Sequence, residues 1–207
     1  ESKRDDAQAE LSFSGRTMGY MIYMNQAIGV GVLDDQMAAI RDLNRNLEFR
    51  KAIQHQIDGK AFAKAMSKGP FATVYAGGIA RDSAFFDPDA TSYFPYNPGG
   101  ANSLLDGLGL VDTDGNGVRN LPNGGGDLVI NLTSNKDSEN EKLIGDGLAT
   151  MMAEVGIKLN VKPMEDTEPT RQSGEFDWII RRAEQGYAFP NSGFWEYIGP
   201  ITNTSFT

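Results

Sequence analysis

The sequence predicts an α/β lobe, and three observations lead there. Asp127–Leu132 alternates apolar and polar as a strand does, and Ile157–Val161 alternates again. Between them, Ser138 and Glu141 have the spacing of a capping box, and Leu143, Ile144, Leu148, Met151, Met152 and Val155 recur on one helical face before Gly156. A strand, a helix and a strand in that order call for a crossover and parallel pairing. Two further apolar runs, Tyr20–Asn25 and Phe176–Ile180, supply more strands, the second carrying one acid, Asp177.

The remaining elements follow in chain order. Residues 1–16 are polar and read as a lead-in. After the first strand, Gly29 and Gly31 break the extended run, and Asp34 and Asp35 can cap a helix over residues 36–43 with Met37, Ile40 and Leu43 inward. Asn46 caps the next helix, where Leu47, Ala52 or Ile53, and Ile57 lie at helical spacing. Gly59 stops it, and a short helix follows over Lys60–Ser67. Gly69–Gly100 is rich in Pro, Gly, Asp and aromatics and reads as a long ordered loop. Asn97-Pro98 opens a helix with proline in its first turn, with Leu104 and Leu105 as its apolar face. After Val161 the reading is a loop into Phe176–Ile180. No internal repeat and no low-complexity tract is visible.

Composition removes several function classes. The 207 residues suffice for one sizeable domain, and 40% hydrophobic residues with 24 glycines fit a turn-rich globular chain. Nineteen basic against 28 acidic residues give a net charge of −9, which disfavours nucleic acid as a partner. There is no apolar run long enough to span a bilayer, and the charged start ESKRDDAQAE lacks the apolar core of a signal peptide. Cysteine is absent, which excludes thiolate catalysis, disulfides and cysteine-based zinc sites within this chain.

Few motifs suggest chemistry. Asp112, Asp114, Asn116 and Val118 match the opening of an EF-hand calcium loop, with Gly117 at the turn position, but Asn123 stands where a bidentate glutamate is needed. Tight turns, in which the acids accept local backbone N–H groups, are the preferred reading, and no metal is expected. His55 is the only histidine, so no transition-metal cluster or histidine pair can form from this chain. The acidic pairs Asp5-Asp6, Asp34-Asp35 and Glu165-Asp166 are accounted for by caps and solvated turns. No catalytic residue, cofactor or enzyme activity is expected. A hydrolase is the weakest alternative, and a calcium-stabilised structural module another.

The succession of short motifs is more informative than any one of them. In order they are Asn25; Phe49-Arg50-Lys51-Ala52-Ile53 with Ile57-Asp58-Gly59-Lys60; Tyr96-Asn97-Pro98; Ala101 with Leu104-Leu105; Gly109-Leu110; Asp112 to Arg119; Pro122 and Gly124; Glu154 to Ile157; and Phe176-Asp177. Over about residues 20–198 this series resembles the extracellular solute-binding proteins of peptide- and nickel-type ABC importers, the family 5 group.

The resemblance implies one lobe of a class II-type periplasmic binding protein, a mixed sheet flanked by helices, spanning residues 17–198. Residues 199–207 would begin a return crossover, and the chain would be a fragment of a two-lobed protein whose other lobe precedes it. It further implies a periplasmic or extracellular protein, with or without a membrane tether, that captures a small solute for a membrane ABC permease. An oligopeptide ranks first as solute and an oligosaccharide is the alternative. Ligands lie outside the carboxyl ends of strands in such lobes, so the stretch after Phe176–Ile180 is the candidate cleft border: Arg181, Arg182, Glu184, Gln185 and Tyr187, with Trp195 beyond. Peptide-binding members carry Trp and Asp where this chain has Ala183 and Gly186, while Tyr187 and Pro190 keep the frame. That departure weakens the peptide assignment, because the Asp would pair with a peptide amine.

Overall fold

The computed structural model describes residues 18–66, 87–90 and 92–184, without the side chains of residues 18, 123, 183 and 184. The sequence expectations for residues 1–17, for most of the loop between 67 and 91, and for residues 185–207 lie outside the described residues. Four strands form one mixed sheet in the order β1-β4-β2-β3: β1 (Met18–Met24), β2 (Val129–Asn135), β3 (Lys158–Met164) and β4 (Trp178–Glu184). β2 runs parallel to both β3 and β4, and β1 closes one side antiparallel to β4, with Met18 opposite Glu184 and Met24 opposite Trp178. Pro163 falls in β3, at the edge of the sheet, where a missing N–H interrupts no second ladder.

The helices are α1 (Asp35–Arg45), α2 (Leu47–Gln56), α3 (Gly59–Met66), α4 (Pro98–Gly107), α5 (Glu139–Ala153) and α6 (Glu168–Ser173). Their starts follow from local chemistry. Asp34 accepts from the amide of Met37, Asn46 from those of Glu48 and Phe49, Asn97 from Gly100, and Ser138 from Glu141. The capping box of α5 is only half formed. The carboxylate of Glu141 reaches past Ser138 to accept the amide of Asn135 at 2.6 Å, tying the helix start to the end of β2.

Parity along the strands divides the sheet. Ile130, Leu132, Leu159, Trp178 and Ile180 join the main core together with Ile144, Leu148 and Met152 of α5, Phe49, Ala52 and Ile53 of α2, and Ala101 and Leu105 of α4. A β-carbon added to Gly145 would lie 3.1 Å from Val161, so α5 approaches the sheet closely at that point. The other face carries Asn131, Thr133, Ile179 and Arg181, and α6 lies on it.

The structure corrects the sequence reading in several places, including at Gly59, which opens α3 rather than stopping α2, and in β3, which runs on to Met164. Leu47 is 53% exposed and Leu143 37%, because the buried stripes turn on Phe49, Ala52, Ile53 and Gln56 in α2 and on Ile144, Gly145, Leu148 and Met152 in α5. Residues 168–173 form α6 where a loop was expected; Pro169 sits in its first turn and Gly174, at φ 76°, ends it. β2 starts two residues later than expected and extends to Asn135. β4 continues through Arg181–Glu184, held by pairing with Met18–Met21.

Leu148 is 1% exposed at the middle of α5. Replacing it with Ala is expected to cost about 2–5 kcal/mol in urea unfolding, as a buried truncation that leaves a cavity. An unchanged denaturation midpoint would break the helix-on-sheet arrangement.

Candidate functional site

The carboxyl ends of β2, β3 and β4 lie on one edge of the sheet, formed by Asn135, Met164 and Glu184, with the start of β1 beside them. The chain leaves β2 toward α5 on the core face and leaves β3 toward α6 on the opposite face. Neighbouring strands whose connections depart to opposite faces create a crevice, and ligands of α/β sheets sit at such places. Here the crevice is bridged. The amide of Lys136 donates to the carbonyl of Met164 at 2.9 Å, and its ammonium pairs with Glu165 at 2.5 Å.

A second ionic group lies on the same edge. Glu168, at the start of α6, accepts from the guanidinium of Arg171 through both oxygens and from Arg181 of β4 at 3.2 Å. Gln172 donates to it at 3.1 Å. Arg171 first, then Gln172 and the charge of Arg181, hold the Glu168 carboxyl down at about 2. Glu141 shows the opposite trend: burial raises it, opposed by the Asn135 amide and by the charge of Arg181. Arg181 thus stands within the field of two carboxylates. On the core face, Asn140 of α5 donates to the phenol oxygen of Tyr20 at 3.1 Å, and Tyr20 lies opposite Arg182 across the β1–β4 ladder.

Of the sequence-predicted site residues, Arg181 is half-buried and ion-paired, and Arg182 is exposed. Glu184 ends β4 opposite Met18. Gln185, Tyr187 and Trp195 lie outside the described residues. Glu168 was missed. The signal that could have revealed it is the Thr167-Glu168-Pro169 start of a helix, with an arginine three residues after the glutamate.

The acidic glycine loop is a set of turns. Asp112 accepts the amides of Gly115 at 2.7 Å and Gly117 at 2.9 Å, which holds its carboxyl low, the Gly117 bond contributing most. Asp114 accepts from Asn116, and Asn116 donates to Asp127 at 3.1 Å. Gly115 and Gly117 take φ of 77° and 86°, which these turns require. Among the described residues, no group of three acidic, histidine or cysteine side chains is placed to hold a metal ion. His55 is a packing residue: its Nδ1 lies 2.8 Å from the carbonyl of Pro95, and its ring meets Phe94 edge-on.

Comparison with known proteins adds to this geometry. Residues 1–204 match the model of the bacterial extracellular solute-binding proteins, family 5, middle region. The chain belongs to that family. It is 37% identical over 190 residues to the periplasmic alpha-galactoside-binding protein of Rhizobium meliloti strain 1021, covering 89% of this chain and 27% of that one. Among solved structures it is similar to the periplasmic binding protein MelB of Agrobacterium fabrum C58, in complex with stachyose. The TM-score is 0.80 at 36% identity, over 88% of this chain and 28% of MelB. The oligopeptide-binding protein OppA shares the fold at a TM-score of 0.67 and 21% identity, over 91% of this chain and 30% of OppA. The chain therefore spans little more than a quarter of the length of these relatives, and its mixed α/β architecture is that of periplasmic binding proteins.

A carboxyl held below its ordinary 4.5 stabilises the fold above that value and loses the contribution as pH falls toward about 2. The stability difference between wild type and Glu168→Gln should accordingly shrink as pH is lowered from 4.5 toward 2, measured by thermal melts. A pH-independent difference would remove the ion pairs from the account. Millimolar calcium is expected to leave the melting temperature unchanged, since the Asp112 carboxylate is already engaged by backbone amides; a rise abolished by Asp114→Ala would establish an ion site.

Proposed function

We propose that this chain supplies one lobe of a longer solute-binding protein of an ABC importer, and that its solute is an uncharged oligosaccharide of the α-galactoside class. The observation that carries the proposal is the identity of 37% over 190 residues to an alpha-galactoside-binding protein, which the similarity to stachyose-bound MelB supports. The sequence reading ranked an oligopeptide first. OppA, at 21% identity, argues for the fold alone, so the oligosaccharide alternative is favoured. The chemistry agrees. A zwitterionic peptide wants a carboxylate for its amine, and the position where peptide-binding members are read to carry that Asp is Gly186 here.

Capture would come from closure of two lobes around a desolvated pocket, without a chemical step. The missing lobe of the same protein and a membrane permease are its partners in this reading. In this reading Arg182 and Glu184 at the end of β4, with Gln185 and Tyr187 that follow in sequence, would border the cleft and offer hydrogen bonds to hydroxyl groups, while Tyr187 and Trp195 would offer aromatic faces to sugar rings. Arg181 acts from behind them, on the face of α6.

Calorimetry on the full-length protein tests the reading. Stachyose is expected to bind and to raise the melting temperature, and a tripeptide to do neither. Trp195→Ala and Glu184→Ala should each weaken stachyose binding by roughly 1–3 kcal/mol, the scale of one desolvated stacking or hydrogen-bonded contact. Tight peptide binding with no response to stachyose would reverse the assignment.

A further inference from the structure

The two faces of the sheet use different chemistry at the carboxyl edge. On the face of α6 the polar groups are ions spent on one another, Glu168 with Arg171 and Arg181. On the core face the polar contact is neutral. Tyr20 shares a side of β1 with Ile22 and Met24, and its ring packs with them against the core. Its hydroxyl meets the first turn of α5, where Asn140, two positions after the cap Ser138, donates to it at 3.1 Å. Tyr20 is half-buried and Asn140 is exposed, so the contact sits at the surface of the lobe.

We propose that Tyr20 and Asn140 act as one sugar-contacting pair, in which the phenol touches the solute and Asn140 both orients that phenol and adds its own amide. This deepens the oligosaccharide reading and rests on it for the position of the cleft. The argument is one of unused hydrogen-bonding capacity. The phenol oxygen accepts from Asn140, so its hydrogen is left to donate elsewhere. Asn140 spends one amide hydrogen on Tyr20, and among the described residues its second amide hydrogen and its carbonyl have no other partner. The pair therefore presents two donors and an acceptor. Adjacent ring hydroxyls, each both donor and acceptor, can meet such a set. Tyr20 has little freedom to lose on binding, because its ring is packed on the core and its hydroxyl is held. Neutral groups can also trade water for a sugar without stranding a charge. The exposed Arg182 lies opposite Tyr20 and adds donors that hydroxyl oxygens accept as well.

The test is calorimetry with stachyose on the full-length protein, as wild type, Tyr20→Phe, Asn140→Ala and the two changes combined. Tyr20→Phe keeps the packed ring and removes only the hydroxyl. Each single change should weaken binding about three- to tenfold, the scale of one hydrogen bond. The double variant should lose clearly less than the product of the two single losses, because Asn140 acts partly through the phenol. Wild-type affinity in either single variant, or a double loss equal to the product, overturns the proposal.

A second measurement needs no variant: nitration of wild-type tyrosines by tetranitromethane, followed by mass spectrometry. With stachyose at ten times its Kd, Tyr20 should react about tenfold more slowly, because only the free protein then exposes it. Tyr93 and Tyr96, exposed ahead of α4, should react at an unchanged rate. An unprotected Tyr20, or equal slowing of all three tyrosines, overturns this inference and leaves the oligosaccharide reading standing. Failure of wild type to bind stachyose at all overturns both.

Discussion

A guanidinium in the interior holds one end of this lobe together. Arg41 of α1 is 1% exposed and donates to the carbonyls of Ala27, Val30 and Gly31 on one side and of Gly174 and Phe176 on the other. It joins the segment leaving β1 to the segment entering β4, two stretches more than 130 positions apart in sequence. Around it, Asn25 donates to Gly174 and Phe176, Asn44 donates to the carbonyl of Asn25, and the indole of Trp178 donates to Asn44. Asp177 accepts from both the amide and the side chain of Asn131, and burial pushes its carboxyl up against the pull of Asn131 and Arg41. A cation removed from water costs several kcal/mol unless its donors are met, so this network specifies one geometry rather than adding stability by itself. The loop that Arg41 holds packs closely: Gly31 sits at φ 65°, and a β-carbon there would lie 2.4 Å from the backbone of Gly174.

A second arginine does the same work on the other side of the core. Arg119, 9% exposed, reaches the carbonyls of Val155 and Leu110, the carboxylate of Asp106 and the amide oxygen of Asn102. It fastens α4 and the acidic glycine loop to the corner between α5 and β3. A β-carbon on Gly156 would meet its side chain at 2.9 Å. The turn motif and the helix stop, which read as separate punctuation in sequence, are thus two parts of one junction.

These hubs leave the lobe with unlike ends. Arg41 and its partners seal the amino end of the parallel strands with backbone carbonyls, which have no use for a ligand. The carboxyl end is tied by side-chain ion pairs, which are more exposed and more easily exchanged. Rigid packing at one end and adjustable charge at the other are compatible with the proposed role, in which one end of the sheet would face a solute.

Much of this was written in the chain. Asp34, Asn46, Asn97 and Ser138 act as caps because a short side-chain oxygen next to a helix start satisfies amides within three residues. The strands β1 and β3, the helices α1 to α5 and the turns at Gly115 and Gly117 depend on equally local chemistry, and the family was legible in the order of those motifs. What the sequence alone could not supply is contact across long separations. Nothing local distinguishes Arg41, buried among carbonyls, from Arg45 one turn later, which pairs with Asp42 near the surface. Nothing local says that Arg181 faces α6, because that depends on the register of β4 against β1 and on a helix of six residues whose own sequence scarcely differs from a loop. The sequence by itself determined which segments became helices, strands and turns, since those follow from neighbours a few positions apart. Only the tertiary structure decided which charges are spent internally, because pairing depends on distances set by the whole sheet.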